Sequence, residues 1–327
     1  MPVGGLRPLD PREQRRHKIR NVFHSALLLV GMIAILCLCA WLIAGLEGVL
    51  WALIGSAAAL FVAPRASPRL ILKMYRAQEI PRHTLPEVHH VLSLIAGRAR
   101  LPAAPRLYYV PSAMLNAFAV GRPHDAAIAV TDGLLRTLEL RELAAVLAHE
   151  ISHVRNNDLV VMSLADVIAQ VTRIMAFAGM LLLMVSLPAW LAEYGRLPWL
   201  LILVLMLAPT FGSLLQLALS RAREYDADLD AAGLTGDPVA LARALQKMDR
   251  LQGGFIERVL LPGQRIPDPS LLRTHPPIEK RISRLLSLSK SSPAAPIVVP
   301  KRGQIEMPLR YRPVRPRPRR RASGMWY

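Results

Sequence analysis

The sequence predicts a mainly α membrane protein: four transmembrane helices in two hairpins, joined to a cytoplasmic α+β domain with a small β-sheet. Three observations predict it. Apolar residues make up 53% of the 327-residue chain and gather in four blocks rather than spreading evenly. Three short β-type runs lie between the first and second pairs of blocks. Basic residues crowd the chain before the first block, after the second and after the fourth, whereas the two short connections hold only Glu47, Glu193 and Arg196.

The chain opens on a basic segment, 1–21, with Arg7, Arg12, Arg15, Arg16, Lys18 and Arg20 against Asp10 and Glu13. Residues 22–46 contain no Asp, Glu, Lys or Arg, which exceeds the ~20 apolar residues that a spanning helix needs. Trp41 and Leu42 stand where a signal peptide would carry small residues, so the run reads as a retained span. Residues 49–62 form a second, shorter apolar run after a tight connection, and 22–63 therefore reads as the first hairpin. Cys37 and Cys39 lie two apart inside it, too close to bridge each other, and read as small hydrophobes.

The expected first part of a catalytic domain covers 64–173. Val88, Val91, Leu92 and Ile95 at helical spacing predict an amphipathic helix over 86–100. Residues 106–110, 116–120 and 126–130 read as strands. The turn chemistry of 121–125 makes the last two a hairpin. Thr137 is the expected N-cap of the next helix, whose stripe is Leu140, Leu143, Val146 and Leu147 and which breaks at Asn156-Asn157-Asp158. Charge-free runs at 174–192 and 197–219 supply the second hairpin, 174–219. The second catalytic part, 220–290, holds a polar helix from Arg221 to Ala232 closed by Gly233, an amphipathic helix over 238–251, and a basic helix over 278–288. The remainder, 291–327, is rich in Arg and Pro and reads as disordered.

The chemistry sits in His149-Glu150-Ile151-Ser152-His153. Two histidines at i and i+4 leave one face of a helix and can share a metal, with the adjacent glutamate as general base. The apolar stripe before them implies a buried helix, and buried imidazoles beside a carboxylate need partners that a metal supplies. Cysteine ligation is excluded, so one Zn2+ per chain would rest on His and carboxylate. A catalytic zinc takes three protein ligands, and Glu224, directly after the last apolar run, is the candidate third. Asp228 is i+4 from it and can accept the free N–H of a ligating histidine.

The motifs Asn116-Ala117-Phe118-Ala119, Thr131-Asp132-Gly133-Leu134-Leu135, Leu147-Ala148 before the histidine motif, Arg223-Glu224-Tyr225-Asp226-Ala227-Asp228 and Thr274-His275-Pro276-Pro277 resemble those of the HtpX-type membrane heat-shock proteases, relatives of the CAAX prenyl proteases. The resemblance implies a gluzincin: zinc on His149, His153 and Glu224, Glu150 as base, Asp228 behind them. It implies a bacterial inner-membrane endopeptidase acting on misfolded membrane proteins from the cytoplasmic side, in protein quality control and stress response. The Arg/Pro-rich tail departs from the family pattern.

Two further assignments carry two readings each. Asn116, Ala117, Phe118 and Ala119 form either an edge strand that pairs with extended substrate or a plain structural strand. His275 either donates to the developing oxyanion or caps the Pro276-Pro277 turn. The net charge of +18 calls for an anionic partner. The spans hold the tail near a bilayer, so anionic lipid is favoured over nucleic acid. A non-catalytic membrane adaptor with a retained metal site is the rival to an enzyme, and the intact Glu150 speaks against it.

Overall fold

The structure, a computed structural model, describes residues 11–62, 68–192, 197–252 and 278–289. His275 and the tail 291–327 lie outside the described residues. In chain order the elements are α1 (Pro11–Val62), α2 (Pro68–Met74), β1 (Gln78–Glu79), α3 (Pro86–Arg98), β2 (Arg106–Val110), β3 (Ala117–Val120), β4 (Ala127–Thr131), α4 (Asp132–Thr137), α5 (Leu140–Arg155), α6 (Asp158–Leu191), α7 (Trp199–Thr235), α8 (Pro238–Gln252) and α9 (Ile278–Ser289).

Among the described residues three helical stretches are long and apolar enough to cross a membrane: Phe23–Ala58, Asp158–Pro188 and Trp199–Thr235. The first takes in nearly all of the 22–46 run and most of the 49–62 run. Its helix is interrupted at Ala44 and Gly45, where Gly45 takes φ 58° and ψ −143°; a residue with a Cβ is strained there. A Cβ on Gly48 would lie 2.2 Å from the carbonyl oxygen of Ala40, and Ala52 packs on the cluster that holds Met32 and Leu36. That cluster also takes in Met162, Leu164, Ala165 and Ile168 of α6 and Leu219 of α7, so α1, α6 and α7 share one apolar bundle. Large apolar side chains on the outside of the bundle, among them Trp51, Ile174, Phe177 and Leu200, are exposed, as lipid-facing residues must be.

The sheet has the order β1-β2-β4-β3. β3 and β4 form the expected antiparallel hairpin, with Ala117 opposite Val130 and Val120 opposite Ala127. β2 runs parallel to β4, with Leu107 opposite Ile128, a pairing that needs a crossover and that local sequence does not signal. β4 is buried on both faces, so it reads as an unbroken apolar run. One face, with Leu107, Tyr109, Ile128 and Val130, joins the main core beneath α3 and α5. The other, with Val110, Phe118, Val120 and Ala129, is covered by Leu72 of α2. β3 is an edge strand.

Two expected helix ends move. The N-cap of α5 is Glu139, not Thr137: its side chain and Glu142 close a reciprocal capping box, which satisfies two end donors at once. Thr137 instead ends α4, whose cap is Thr131. α7 passes through Gly233 and closes at Gly236. It is continuous from the membrane stretch into the polar segment, and Pro209 lies inside it without ending it.

Candidate metal centre

α5 is held in the core by Leu143, Leu147, Ile151 and Val154, which turns His149 and His153 toward α7. The two rings meet edge to face with Nε2 atoms 3.2 Å apart. Glu224 on α7 brings Oε2 to 3.5 Å from His149 Nε2 and Oε1 to 3.7 Å from His153 Nε2. His149, His153 and Glu224 thus place three ligand atoms within 4.8 Å of one another.

These separations fit one metal. Two nitrogens each ~2.05 Å from a tetrahedral ion stand about 3.3 Å apart. The far ring nitrogens are also provided for: His149 Nδ1 is 3.2 Å from Asp228 Oδ1, and His153 Nδ1 is 2.8 Å from Asp158 Oδ2. A carboxylate at Nδ1 keeps the proton there and leaves Nε2 with its lone pair toward the ligand cluster. Asp158 is the residue that the sequence reading missed. Its chain neighbour Asn157 adopts φ 55°, and this reversal, not helical spacing, carries the acid back to the histidine.

Arg281 of α9 was also missed. It is buried, its Nη1 lies 2.9 Å from Glu224 Oε2, and its Nε and Nη2 grip both oxygens of Asp228 at 2.8 and 2.6 Å. Arg223 Nη1 meets Asp158 Oδ1 at 2.9 Å. Four carboxylates (Glu150, Glu224, Asp158 and Asp228) against two guanidiniums leave two negative charges, which a divalent cation balances with both imidazoles neutral. In the metal-free protein burial lowers the proton affinity of His149, but Asp228 and Glu224 overcome it and push the pKa up to about 10. His153 is raised in the same way: burial opposes, and Asp158 prevails.

Glu150 points to the sheet edge. The backbone N–H of Ala119 donates to its Oε2 at 3.0 Å. The edge of β3 at Ala119 therefore meets Glu150, with Ala117, Phe118 and Ala119 in the strand and Asn116 just before it. Asn116 is anchored to Thr131, donating its N–H to Oγ1 at 3.0 Å and accepting from that hydroxyl at 2.9 Å.

A buried His-His-Glu cluster with a second glutamate alongside, fixed to helices apolar enough to cross a bilayer, defines a membrane-bound metalloprotease. Residues 82–289 match the family described as Peptidase family M48, and the chain belongs to that family. It is 35% identical over 286 residues to a protein named Protease HtpX homolog from Burkholderia ambifaria (strain MC40-6), with 83% of this chain and 98% of that one covered. A protein of the same name from Desulfatibacillum aliphaticivorans is 33% identical over 300 residues, covering 84% and 92%. Among solved structures, the crystal structure of S. mikatae Ste24p aligns with a TM-score of 0.46 at 19% identity, covering 83% of this chain and 66% of that chain. The chain is a bacterial membrane protein, a metal-dependent peptidase whose substrates are peptides or proteins.

Proposed function

We propose that the protein is a zinc endopeptidase of the bacterial inner membrane that hydrolyses peptide bonds of misfolded or damaged membrane proteins on the cytoplasmic side. The observation that carries this reading is the convergence of His149, His153 and Glu224 at ligand spacing, with Glu150 beside them. A zinc ion held by those three residues supplies Lewis-acid chemistry, acidifying water and polarising a peptide carbonyl. Glu150 takes the proton of the attacking water and returns it to the leaving amine. Asp228 and Asp158 hold the two imidazoles in the ligating tautomer. The edge of β3 binds extended substrate as an added strand, which brings a peptide bond within reach of Glu150.

The break at Ala44–Gly45 and the return of Gly48 onto Ala40 support two crossings within α1. With α6 and α7 they make four spans in two hairpins. The positive-inside rule then puts both termini and the metal centre in the cytoplasm. His275 remains either an oxyanion donor or a cap of the Pro276-Pro277 turn, and the Arg/Pro-rich tail is proposed as an anionic-lipid contact.

The test uses the full chain in detergent. Glu150→Gln keeps one equivalent of zinc while cleavage of an unfolded protein substrate falls by roughly 10²–10⁴-fold, the range for loss of a general base. Wild-type turnover by this variant rejects the assignment of Glu150, and a zinc-free wild type rejects the metal.

A further inference from the structure

α2 is short, but its two sides differ sharply. Leu72 is buried in one cluster with Val110, Phe118 and Ala129, and Tyr75 just beyond the helix packs at a tilt on Phe118 with ring centroids 4.9 Å apart. Leu70 and Met74, one turn apart and two residues either side of Leu72, point the opposite way and are 60% and 61% exposed. Arg69 and Lys73 form a parallel exposed ridge, and exposed Arg76 follows with φ 52°. The helix has no acid in its first turn. The nearest one, exposed Glu79, accepts from the Tyr108 hydroxyl at 3.4 Å. An apolar ridge flanked by cations fits the boundary between acyl chains and anionic headgroups.

The chain places this face near a bilayer. α1 is helical to Val62 and α2 starts at Pro68, so the six steps between them reach about 20 Å at full extension. A bilayer surface is thus the partner within tether distance, and its anionic lipids complement three cations.

We infer that the outer face of α2, with Leu70 and Met74 as its apolar ridge and Arg69, Lys73 and Arg76 as its cations, docks on anionic phospholipid headgroups. Through Leu72 and Tyr75 this contact sets the height of β3, and with it the Ala119 edge beside Glu150, over the membrane. The inference rests on α1 as a membrane hairpin whose second arm ends at Val62.

The test places a small environment-sensitive fluorophore in the full-length protein, with Cys37 and Cys39 replaced by Ala, at Leu70→Cys. Leu50→Cys in the second arm of α1 and Leu94→Cys on α3 are companions. Each is reconstituted in zwitterionic vesicles or in vesicles with about 30% phosphatidylglycerol, and quenched by nitroxide-bearing lipid or by aqueous iodide. The Leu70 probe is expected to gain lipid quenching and lose iodide quenching only in the anionic vesicles, while the Leu94 probe stays in water. Arg69→Gln, Lys73→Gln and Arg76→Gln should each cut the Leu70 contact by roughly fivefold. Salt at about 1 M should release the unmutated face, a check that does not depend on folding of the variants. A Leu70 probe that is indifferent to anionic lipid, or shielded from both quenchers as by a protein partner, overturns the docking while a lipid-quenched Leu50 leaves the hairpin standing. An unquenched Leu50 overturns the hairpin itself and the docking with it.

Discussion

His153 Nδ1 and Asp158 Oδ2 stand 2.8 Å apart across the turn that ends α5 and begins α6. The acid is in turn held by Arg223 of α7, so one histidine of the candidate metal site is oriented by α6 and α7 together. Asp158→Asn removes the anionic acceptor for the histidine and leaves Arg223 without its charge partner. Metal affinity should fall by about 10–100-fold with the fold retained. Competition with a chromophoric chelator measures it; affinity equal to wild type means that Asp158 does not orient the ligand.

Metal removal should destabilise the native protein alone, because the three ligands converge only in the fold. At free zinc about 100-fold above Kd the stabilisation is about 2.7 kcal/mol. Chelator should lower the thermal midpoint of wild type, and Glu224→Ala should start near the chelated value and ignore chelator. A chelator response in that variant equal to wild type would exclude Glu224 as a ligand.

Zinc uptake should release protons. In the metal-free protein the pKa of His149 is raised to about 10, so at pH 7 the imidazole carries a proton that ligation must expel. Affinity should therefore rise with pH from 7 toward 10, by about tenfold per pH unit for each proton displaced, and fall as pH drops. Calorimetric titration in buffers of different ionisation enthalpy counts these protons; a count of zero contradicts the carboxylate-held imidazolium.

Ala119→Pro tests the strand edge. Proline is tolerated on edge strands but removes the N–H that meets Glu150. That bond to a charged group is worth on the order of tenfold, so kcat should fall by about that factor, with zinc content unchanged, if it positions the base. An unchanged kcat would mean that the Ala119 N–H does not position Glu150.

Arg281→Gln should be costly out of proportion to its size. The guanidinium is buried between Glu224 and Asp228, and breaking such a pair leaves uncompensated buried charge worth about 3–5 kcal/mol. Denaturant unfolding in the presence of zinc measures the loss, which a shift under about 1 kcal/mol would contradict.

Much of this centre was legible in the sequence because its parts are local. The i, i+4 spacing of His149 and His153 and that of Glu224 and Asp228 are properties of single helices. The β3–β4 hairpin announces itself by two short apolar runs on either side of the turn residues 121–125. What was not legible depends on long-range approach. Arg281 meets Asp228 from 53 residues away, through a helix that reads only as basic. Asp158 reaches His153 through a left-handed residue at Asn157. Glu139 displaced Thr137 as the cap because a reciprocal pair with Glu142 outcompetes a lone hydroxyl.

The continuity of α7 has a mechanical consequence. Trp199 and Glu224 belong to one helix, and the 25 residue steps from one to the other span about 37 Å. A tilt of about 3° pivoted at Trp199 would swing the Glu224 carboxylate by roughly 2 Å, the length of a metal–oxygen bond. With Trp199 in lipid and Glu224 on the metal, as proposed, the helix would act as a lever from the bilayer to the site, and bilayer thickness, which biases helix tilt through hydrophobic mismatch, would bear on metal binding.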